Sequence, residues 1–417
     1  MAELYCCYQG GMVGTIRFDE SLRLSFCYAS EWLEAAGSFP ISMSLPLRKA
    51  AYEHAVTAAY FENLLPEESI RSALAQRYKI PEKNLFQFFS HFGDELAGAL
   101  AIHSELPAAQ TSGSQGLVPL EYNFIYDSIE NGQGLYTQML SAHGMKFSLA
   151  GAQEKFPVIY RNGMLFVPEH GQPTTHIIKA DMAFRNSQTV LNEYLVMTLA
   201  QWLELRTAEV EVIPGRYPLL VIRRYDRKLQ NTGMVRVHQE DFCQAQGVPS
   251  SLKYEDRGGP SFAMAYELAK RHSMRKIPDL KQLLKWLAFN LIVGNNDSHS
   301  KNLSFLWQEK KVSLAPFYDL LSTSIYGHRF DQNFAFKIGQ TRDFYRLKKT
   351  DFEALEAHLG VRIGTFTQII ERLVVKVQQK LADLEILARD KHEDSTIGGR
   401  LSEELMKRTR YLKSILG

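Results

Sequence analysis

The stretch Asn290-Leu-Ile-Val-Gly-Asn-Asn-Asp297-Ser-His299-Ser300-Lys301-Asn302-Leu-Ser-Phe-Leu306, followed after a short interval by Leu314-Ala-Pro-Phe-Tyr318-Asp319, decides the fold. Leu280, Leu283, Leu284, Leu287 and Leu291 have the spacing of a helix with one apolar face. That helix runs into a polar loop carrying a single Asp. A polar loop between apolar runs is a poor way to build a core and a good way to build a site. Beyond it, Leu303 to Trp307 and Val312 to Leu314 flank the polar Gln308-Glu-Lys-Lys311, which predicts a β-hairpin returning Asp319 to the loop.

Asp297 and Asn302 stand five apart, the separation of the base and the metal-binding Asn in the protein-kinase catalytic loop. Asp319 then takes the place of the Asp that holds magnesium on the phosphates, although Leu-Leu follows it where a kinase has Phe-Gly. Taken singly, each of the three is ordinary for a loop, since Asp and Asn are common in turns and caps. Taken together they supply a base and two metal ligands, and magnesium favours one or two carboxylates plus substrate phosphates.

Working outward, the chain has 417 residues, long for one core, so two or three domains are expected. With 45% hydrophobic and 23% charged residues it has the composition of a folded globular protein. Its 48 basic and 46 acidic residues nearly cancel, so charge alone demands neither nucleic acid nor membrane. The four Cys include no C-x-x-C pair, and no stretch of 18 apolar residues offers a membrane span. The opening Met1-Ala-Glu-Leu-Tyr lacks the basic-then-apolar order of a signal peptide. A reduced, cytoplasmic protein without a membrane partner is the expectation.

Residues 1–104 begin with strand-like runs (Leu4 to Tyr8, Gly14 to Phe18, Leu22 to Tyr28) and continue into a helix after Pro66. A small-residue and Gly-rich linker from Glu105 to Gly116 marks a boundary. Residues 105–245 mix strands with one long helix, and Arg161-Asn162-Gly163 between two apolar runs is a specific hairpin signal. Ahead of it lies Lys146-Phe-Ser148-Leu-Ala150-Gly151-Ala152-Gln153-Glu154-Lys155, whose small residues allow backbone N–H groups to approach a phosphate. It fits neither common phosphate-loop pattern, and a plain hairpin turn explains it as well.

Lys179 ends the strand Thr175-His-Ile-Ile-Lys179, where a kinase contacts the phosphates, although a lone Lys at a strand end more often reaches water. Ser187 is placed to cap a helix carrying Val190, Leu191, Tyr194, Leu195, Leu199 and Trp202 on its apolar stripe, with Glu193 either on a solvated face or paired with Lys179. The run from Val235 through Glu240, Asp241 and Phe242 falls where the hinge between kinase lobes would lie. Residues 246–417 are largely helical by periodicity, and Lys407, Arg408, Arg410 and Lys413 of the last helix are assigned to a solvated face or to contact with DNA phosphates or an acidic partner.

With these elements placed, the chain resembles the HipA family of bacterial toxin serine/threonine kinases, the toxin halves of toxin–antitoxin pairs. The similar motifs are Phe61-Glu-Asn-Leu-Leu-Pro-Glu67, Ser148-Leu-Ala-Gly-Ala-Gln-Glu-Lys155, Thr175-His-Ile-Ile-Lys179, Asn192-Glu193-Tyr194, Gln239-Glu-Asp-Phe-Cys-Gln244, Asn295-Asn-Asp-Ser-His-Ser-Lys-Asn302 and Pro316-Phe-Tyr-Asp319. The resemblance implies an α+β, protein-kinase-like two-lobed fold with a small additional N-terminal αβ domain and a helical C-lobe. By motif match Asp297 would be the catalytic base, Asn302 and Asp319 the magnesium ligands, and Lys179 the phosphate contact. Ala150, Gly151, Ala152, Gln153, Glu154 and Lys155 would form the phosphate loop, and Glu240, Asp241 and Phe242 would border adenine. His299, Ser300, Lys301 and Tyr318 complete the implied ATP set, and Ser148 matches the family's autophosphorylated serine.

The implied cofactors are ATP and Mg2+. The implied partners are a helix-turn-helix antitoxin of the HipB type, operator DNA reached through that antitoxin, and a protein substrate such as an aminoacyl-tRNA synthetase. Two other readings stay open on the sequence: a catalytically idle co-repressor, against which the intact Lys179, Asp297, Asn302 and Asp319 argue, and a small-molecule phosphotransferase.

Overall fold

The computed structural model describes every residue except Met1, 107–115, 132–137, 140–154, 169–171, 182–187, 232 and 309. Ser148, the phosphate-loop residues Ala150 to Glu154 and the expected cap Ser187 therefore lie outside the described residues. The chain divides into two compact units. The first comprises Met1–Phe184, Arg223–Ser251 and Phe305–Val312; the second comprises Arg185–Ile222, Leu252–Ser304 and Ser313–Gly417.

The first unit opens with an antiparallel sheet in the order β3-β2-β1-β4, where β1 is Ala2–Tyr8, β2 Gly11–Phe18, β3 Leu24–Tyr28 and β4 Leu100–His103. The third strand starts two residues later than the sequence predicts, because Leu22 adopts a positive φ of 58° in the preceding turn. Helices His54–Glu62 and Leu85–Phe92 lay Tyr60, Phe61, Phe88, Phe89 and Phe92 against this sheet, all at most 2% exposed. Edge-on contacts join Phe61 to Phe89 and Phe18 to Phe86, the preferred geometry for aromatic pairs.

Further along the same unit, β5 (Leu117–Leu120), β6 (Lys155–Arg161), β7 (Met164–Pro168) and β8 (His176–Ala180) pair antiparallel in the order β5-β7-β6-β8. The expected hairpin is present: Asn162 and Gly163 have φ of 51° and 76°, the double left-handed turn that matches strand twist. The predicted hairpin after the polar loop forms as well. Strand Ser304–Gln308 pairs with Lys311–Leu314 on one side and with His238–Asp241 on the other. The first strand is shifted by one residue and the second begins one residue early, which takes Gln308 and Lys311 from the turn into the ladder.

The second unit is mainly helical. Helices Phe262–His272, Lys276–Val293, Lys349–Leu359, Thr365–Lys391 and Ile397–Leu416 agree with the helical periodicity of residues 246–417. Helix Thr189–Trp202 and the strand pair Val210–Ile213 with Leu219–Arg223 complete it. Lys276–Val293 runs through the middle of the core: Leu283, Trp286, Leu287, Leu291 and Ile292 are all fully buried, and Phe262 stacks on Trp286 with ring centroids 6.5 Å apart. Among the described residues, no helix is long and apolar enough to cross a membrane.

Candidate active site

The central helix Lys276–Val293 is the platform on which the polar loop is mounted. It stops at Gly294, whose φ of 70° closes the last turn in the left-handed conformation that glycine adopts without a Cβ penalty. A Cβ here would also lie 2.1 Å from Ser324 Oγ and 2.9 Å from its Cβ, so any larger residue would have to displace Ser324 as well as adopt a strained backbone. Beyond it the loop is tied down by side-chain amides. Asn290 Nδ2 donates to the Trp286 carbonyl at 2.8 Å, and Asn295 Nδ2 donates to Asn290 Oδ1 at 2.8 Å. The Asn296 amide N–H donates to Thr323 Oγ1 at 2.8 Å, and its Nδ2 to the Asp331 carbonyl at 3.0 Å. Each bond uses a buried group that would otherwise cost free energy, so the loop has little freedom left.

On this mount the short 3-10 turn Ser300–Asn302 sets the five-residue spacing in space. Asn302 Nδ2 donates to Asp319 Oδ2 at 2.9 Å, so the returning hairpin delivers Asp319 to the loop as the sequence predicts. Asp319 holds a φ of 59°, unusual for a residue other than glycine and of the kind that gathers at functional sites. Asn302 is 3% exposed, yet its Oδ1 is buried with no hydrogen-bond partner. A buried amide oxygen beside a carboxylate is an oxygen donor set, and it fits a hard cation such as magnesium. Asp297 is half-buried, with Oδ1 accepting from the Tyr254 hydroxyl at 2.6 Å.

The remaining loop residues, His299, Ser300 and Lys301, are buried and help to hold the turn. Ser300 Oγ donates to the Pro260 carbonyl at 3.2 Å, Tyr318 donates to the Lys301 carbonyl at 2.6 Å, and the His299 ring sits edge-on to Tyr254 at 5.0 Å.

The first unit carries the other residues singled out. Lys179 is only 4% exposed, so it is a buried cation and not a strand end reaching water, and it sits opposite Lys155 in the β6–β8 register. Glu240 is fully buried, accepting from Ser42 Oγ at 2.6 Å, the Met43 amide at 3.2 Å and Trp307 Nε1 at 2.8 Å. Asp241 caps a short helix: it accepts from the Gln244 amide while Gln244 Oε1 accepts from the Asp241 amide, a reciprocal capping box. Phe242 packs on Phe305 at 4.6 Å. The side chains of this segment are thus used internally, and its backbone is what remains for a ligand.

Burial pushes the Glu240 carboxyl up to about 8, against the donors that favour its charged form. A carboxyl raised in the folded state favours folding while protonated, so this contribution is complete below about 4.5 and is lost as pH rises through about 8. Replacing Glu240 by Gln should remove that slope, at most about 1.4 kcal/mol per pH unit. Urea midpoints of wild type and Glu240→Gln at pH 5 and pH 8 measure it; parallel behaviour of the two proteins contradicts the assignment.

Two assignments from the sequence change. Arg408 does not lie on a solvated face: it is 2% exposed, donates from Nε to the Leu291 carbonyl at 2.9 Å and lies 3.5 Å from the Phe344 ring centre. It therefore caps the carbonyl end of the very helix that leads into the loop, while Lys407, Arg410 and Lys413 are exposed as expected. The signal was present, because Leu401, Leu405, Arg408 and Leu412 follow the 4, 3, 4 spacing of one stripe. Glu193 is fully buried and not on a solvated face, as is Asn192, whose Nδ2 donates to the Ser322 carbonyl at 2.9 Å and whose Oδ1 accepts from its amide. Tyr254 was not singled out at all, and no spacing rule connects it to Asp297.

Comparison with known proteins gives the family and the fold. The HipA N-terminal domain family matches residues 4–103 and the HipA-like C-terminal domain family matches residues 147–381. The putative kinase Y4mE of Sinorhizobium fredii is 36% identical over 409 residues, covering 94% of this chain and 96% of that protein. The serine/threonine-protein kinase toxin HipA of Shewanella oneidensis is 26% identical, covering 96% of this chain and 94% of that one. The solved structure of the Shewanella oneidensis HipA, HipB and operator DNA complex shares the fold, with a TM-score of 0.85 at 24% identity over 99% of this chain and 98% of that one. With both domain families present in order along an α+β kinase fold, this chain belongs to the HipA family of toxin serine/threonine kinases.

Proposed function

We propose that the chain transfers the γ-phosphoryl group of ATP to a serine hydroxyl of a protein, and that Asp297 is the base. The observation that carries this is the Asn302–Asp319 pair, joined at 2.9 Å, on the same braced loop as Asp297, with Asn302 Oδ1 buried and without a hydrogen-bond partner. Asp297 takes the acceptor hydroxyl's proton as the new O–P bond forms and the bond to the leaving ADP breaks. Asn302 Oδ1 and Asp319 hold magnesium. When bound, magnesium neutralises charge on the phosphates and orients them. Lys155 and Lys179 carry positive charge for the phosphates, Lys301 carries it on the loop, and His299, Ser300 and Tyr318 are further ATP-contacting residues. Residues 150–154, outside the described residues, serve the phosphates, and residues 240–242 serve adenine.

Incubation of the purified chain with γ-labelled ATP, alone and with a cell lysate, tests the reading. A labelled protein band supports it; no ATP consumption points to an idle co-repressor; label on small molecules alone points to a small-molecule phosphotransferase. Asp319→Asn should weaken magnesium-dependent ATP binding about 10- to 100-fold by removing one charged ligand while sparing metal-free nucleotide binding. Calorimetric titrations with and without magnesium distinguish the two, and equal loss in both would assign Asp319 to the fold.

Beyond the chemistry, we infer that the chain acts as a toxin in the cytoplasm, restrained by a helix-turn-helix antitoxin with which it sits on operator DNA, and that its target is a translation component such as an aminoacyl-tRNA synthetase. What supports the partners is the assembly named for the Shewanella protein, and what supports a reducing compartment is that none of the four Cys forms a disulfide. Ser148 is the self-modification site: a phosphate adds about −1.5 to −2 charge beside groups that cradle ATP. Peptide mass spectrometry should find it in the wild type and not in Asp297→Asn, with activity falling as it accumulates; phosphate on Ser148 at undiminished activity rules out the switch.

A further inference from the structure

The hydroxyl of Tyr254 donates to Asp297 Oδ1 at 2.6 Å, a short bond of the charge-assisted kind. Tyr254 belongs to a segment built against the loop. The Ser300 amide donates to the Lys253 carbonyl at 3.4 Å, and Ser300 Oγ donates to the Pro260 carbonyl at 3.2 Å. The Tyr254 carbonyl in turn accepts from the Arg257 and Gly259 amides at 3.2 and 3.0 Å, which folds the segment on itself. The ring is fixed as well as the backbone: His299 sits edge-on at 5.0 Å, and the Arg257 guanidinium lies 5.1 Å from the ring centre. A side chain anchored from both sides in this way is a fixture and not a plug that swings aside.

We propose that Tyr254 is a positioning residue for phosphoryl transfer: its hydroxyl holds Oδ1 of Asp297 and so aims Oδ2 at the acceptor hydroxyl. The proposal rests on the reading of Asp297 as the base. A carboxylate rotates about its terminal torsion over a broad range, so a single donor on one oxygen fixes where the other points. Removing the donor leaves the base present and the nucleotide site untouched, and misaims the proton acceptor. The consequence belongs to the transfer step and not to ATP binding.

Tyr254→Phe keeps the ring against His299 and deletes the donor. Single-turnover transfer from γ-labelled ATP, to the chain itself and to dephosphorylated casein, should slow about 10- to 100-fold, the range for losing a hydrogen bond to a charged group. The apparent KM for ATP should stay within about 2-fold, and thermal melting should match the wild type. In an Asp297→Ala background the same substitution should change the residual rate by less than about 2-fold, because the effect of the hydroxyl on transfer runs through that carboxylate. Wild-type labelling with equal or faster labelling by Tyr254→Phe overturns the proposal while leaving the kinase reading intact. A slowing that persists in the Asp297→Ala background overturns it as well, by assigning Tyr254 to the fold. No labelling by the wild type overturns the kinase reading, and this inference with it.

Discussion

Asp297→Asn should lower phosphoryl transfer by about 10²- to 10⁴-fold, the usual contribution of a positioned general base. The amide has the shape of the carboxylate, and its Oδ1 can still accept from the Tyr254 hydroxyl that lies 2.6 Å from Asp297 in the wild type. The bond from the His299 amide to the carbonyl of residue 297, at 2.9 Å, is a backbone bond and survives. Melting temperature and ATP affinity should therefore stay close to wild type, since the proton is taken only as the transition state forms. Label transfer under single-turnover conditions and calorimetric ATP titration check both halves. Expression of the wild type alone should arrest growth, and expression of Asp297→Asn should not. Near wild-type turnover in the variant would remove Asp297 from the mechanism; equal growth with both proteins would remove the toxin reading alone.

A second large effect, on stability, is expected in the first unit, where Glu95, Arg224, Asp226 and Arg227 are buried together beside a half-buried Arg236. Glu95 accepts from Thr174 Oγ1 at 2.7 Å, from Arg224 Nη1 at 2.7 Å and Arg227 Nη2 at 2.6 Å, and also pairs with Arg236. Asp226 accepts from Arg224 Nη2 at 2.7 Å and from the Gly98 amide at 2.8 Å. Burial alone would raise the Glu95 carboxyl, but the guanidiniums of Arg227, Arg236 and Arg224 outweigh it and hold the group at about 2. Glu95→Ala leaves three arginines facing one carboxylate without water, a cost of about 3–5 kcal/mol for breaking a buried pair. The melting temperature should fall by roughly 10 °C. Because the folded carboxyl is depressed, its contribution is complete above about 4.5 and is lost as pH falls toward about 2. Chemical denaturation at pH 7 and pH 3 reads both effects, and a loss below about 1 kcal/mol at pH 7 would show that the arginines relax into water without Glu95.

The amino-acid sequence by itself determined what depends on neighbours a few residues away. Asn162-Gly163 dictates its turn because only residues tolerant of positive φ fit there, and the helices around Leu283 and Leu401 follow from 3.6-residue periodicity. The five-residue separation of Asp297 and Asn302 likewise needs only one loop and one short turn. Asp319 was legible for a related reason: 17 residues and one hairpin separate it from Asn302, and the hairpin has its own local signal. The resemblance of the ordered motifs to one family then supplied the fold class that no single motif specifies.

Tertiary structure alone decided the rest. Tyr254 lies 43 residues from Asp297, Glu95 lies 129 from Arg224, and Arg408 lies 117 from the Leu291 carbonyl it caps. Arg408 shows why such contacts escape a reading of the sequence. Its position fits the apolar stripe while its charge suggests water, and only the packing of the last helix against the central one shows that a carbonyl and an aromatic ring are there to receive it. Periodicity tells which face of a helix is turned inward; what that face meets is set by chain segments brought together across a hundred residues, and a buried charge is tolerated only when those segments supply its partner.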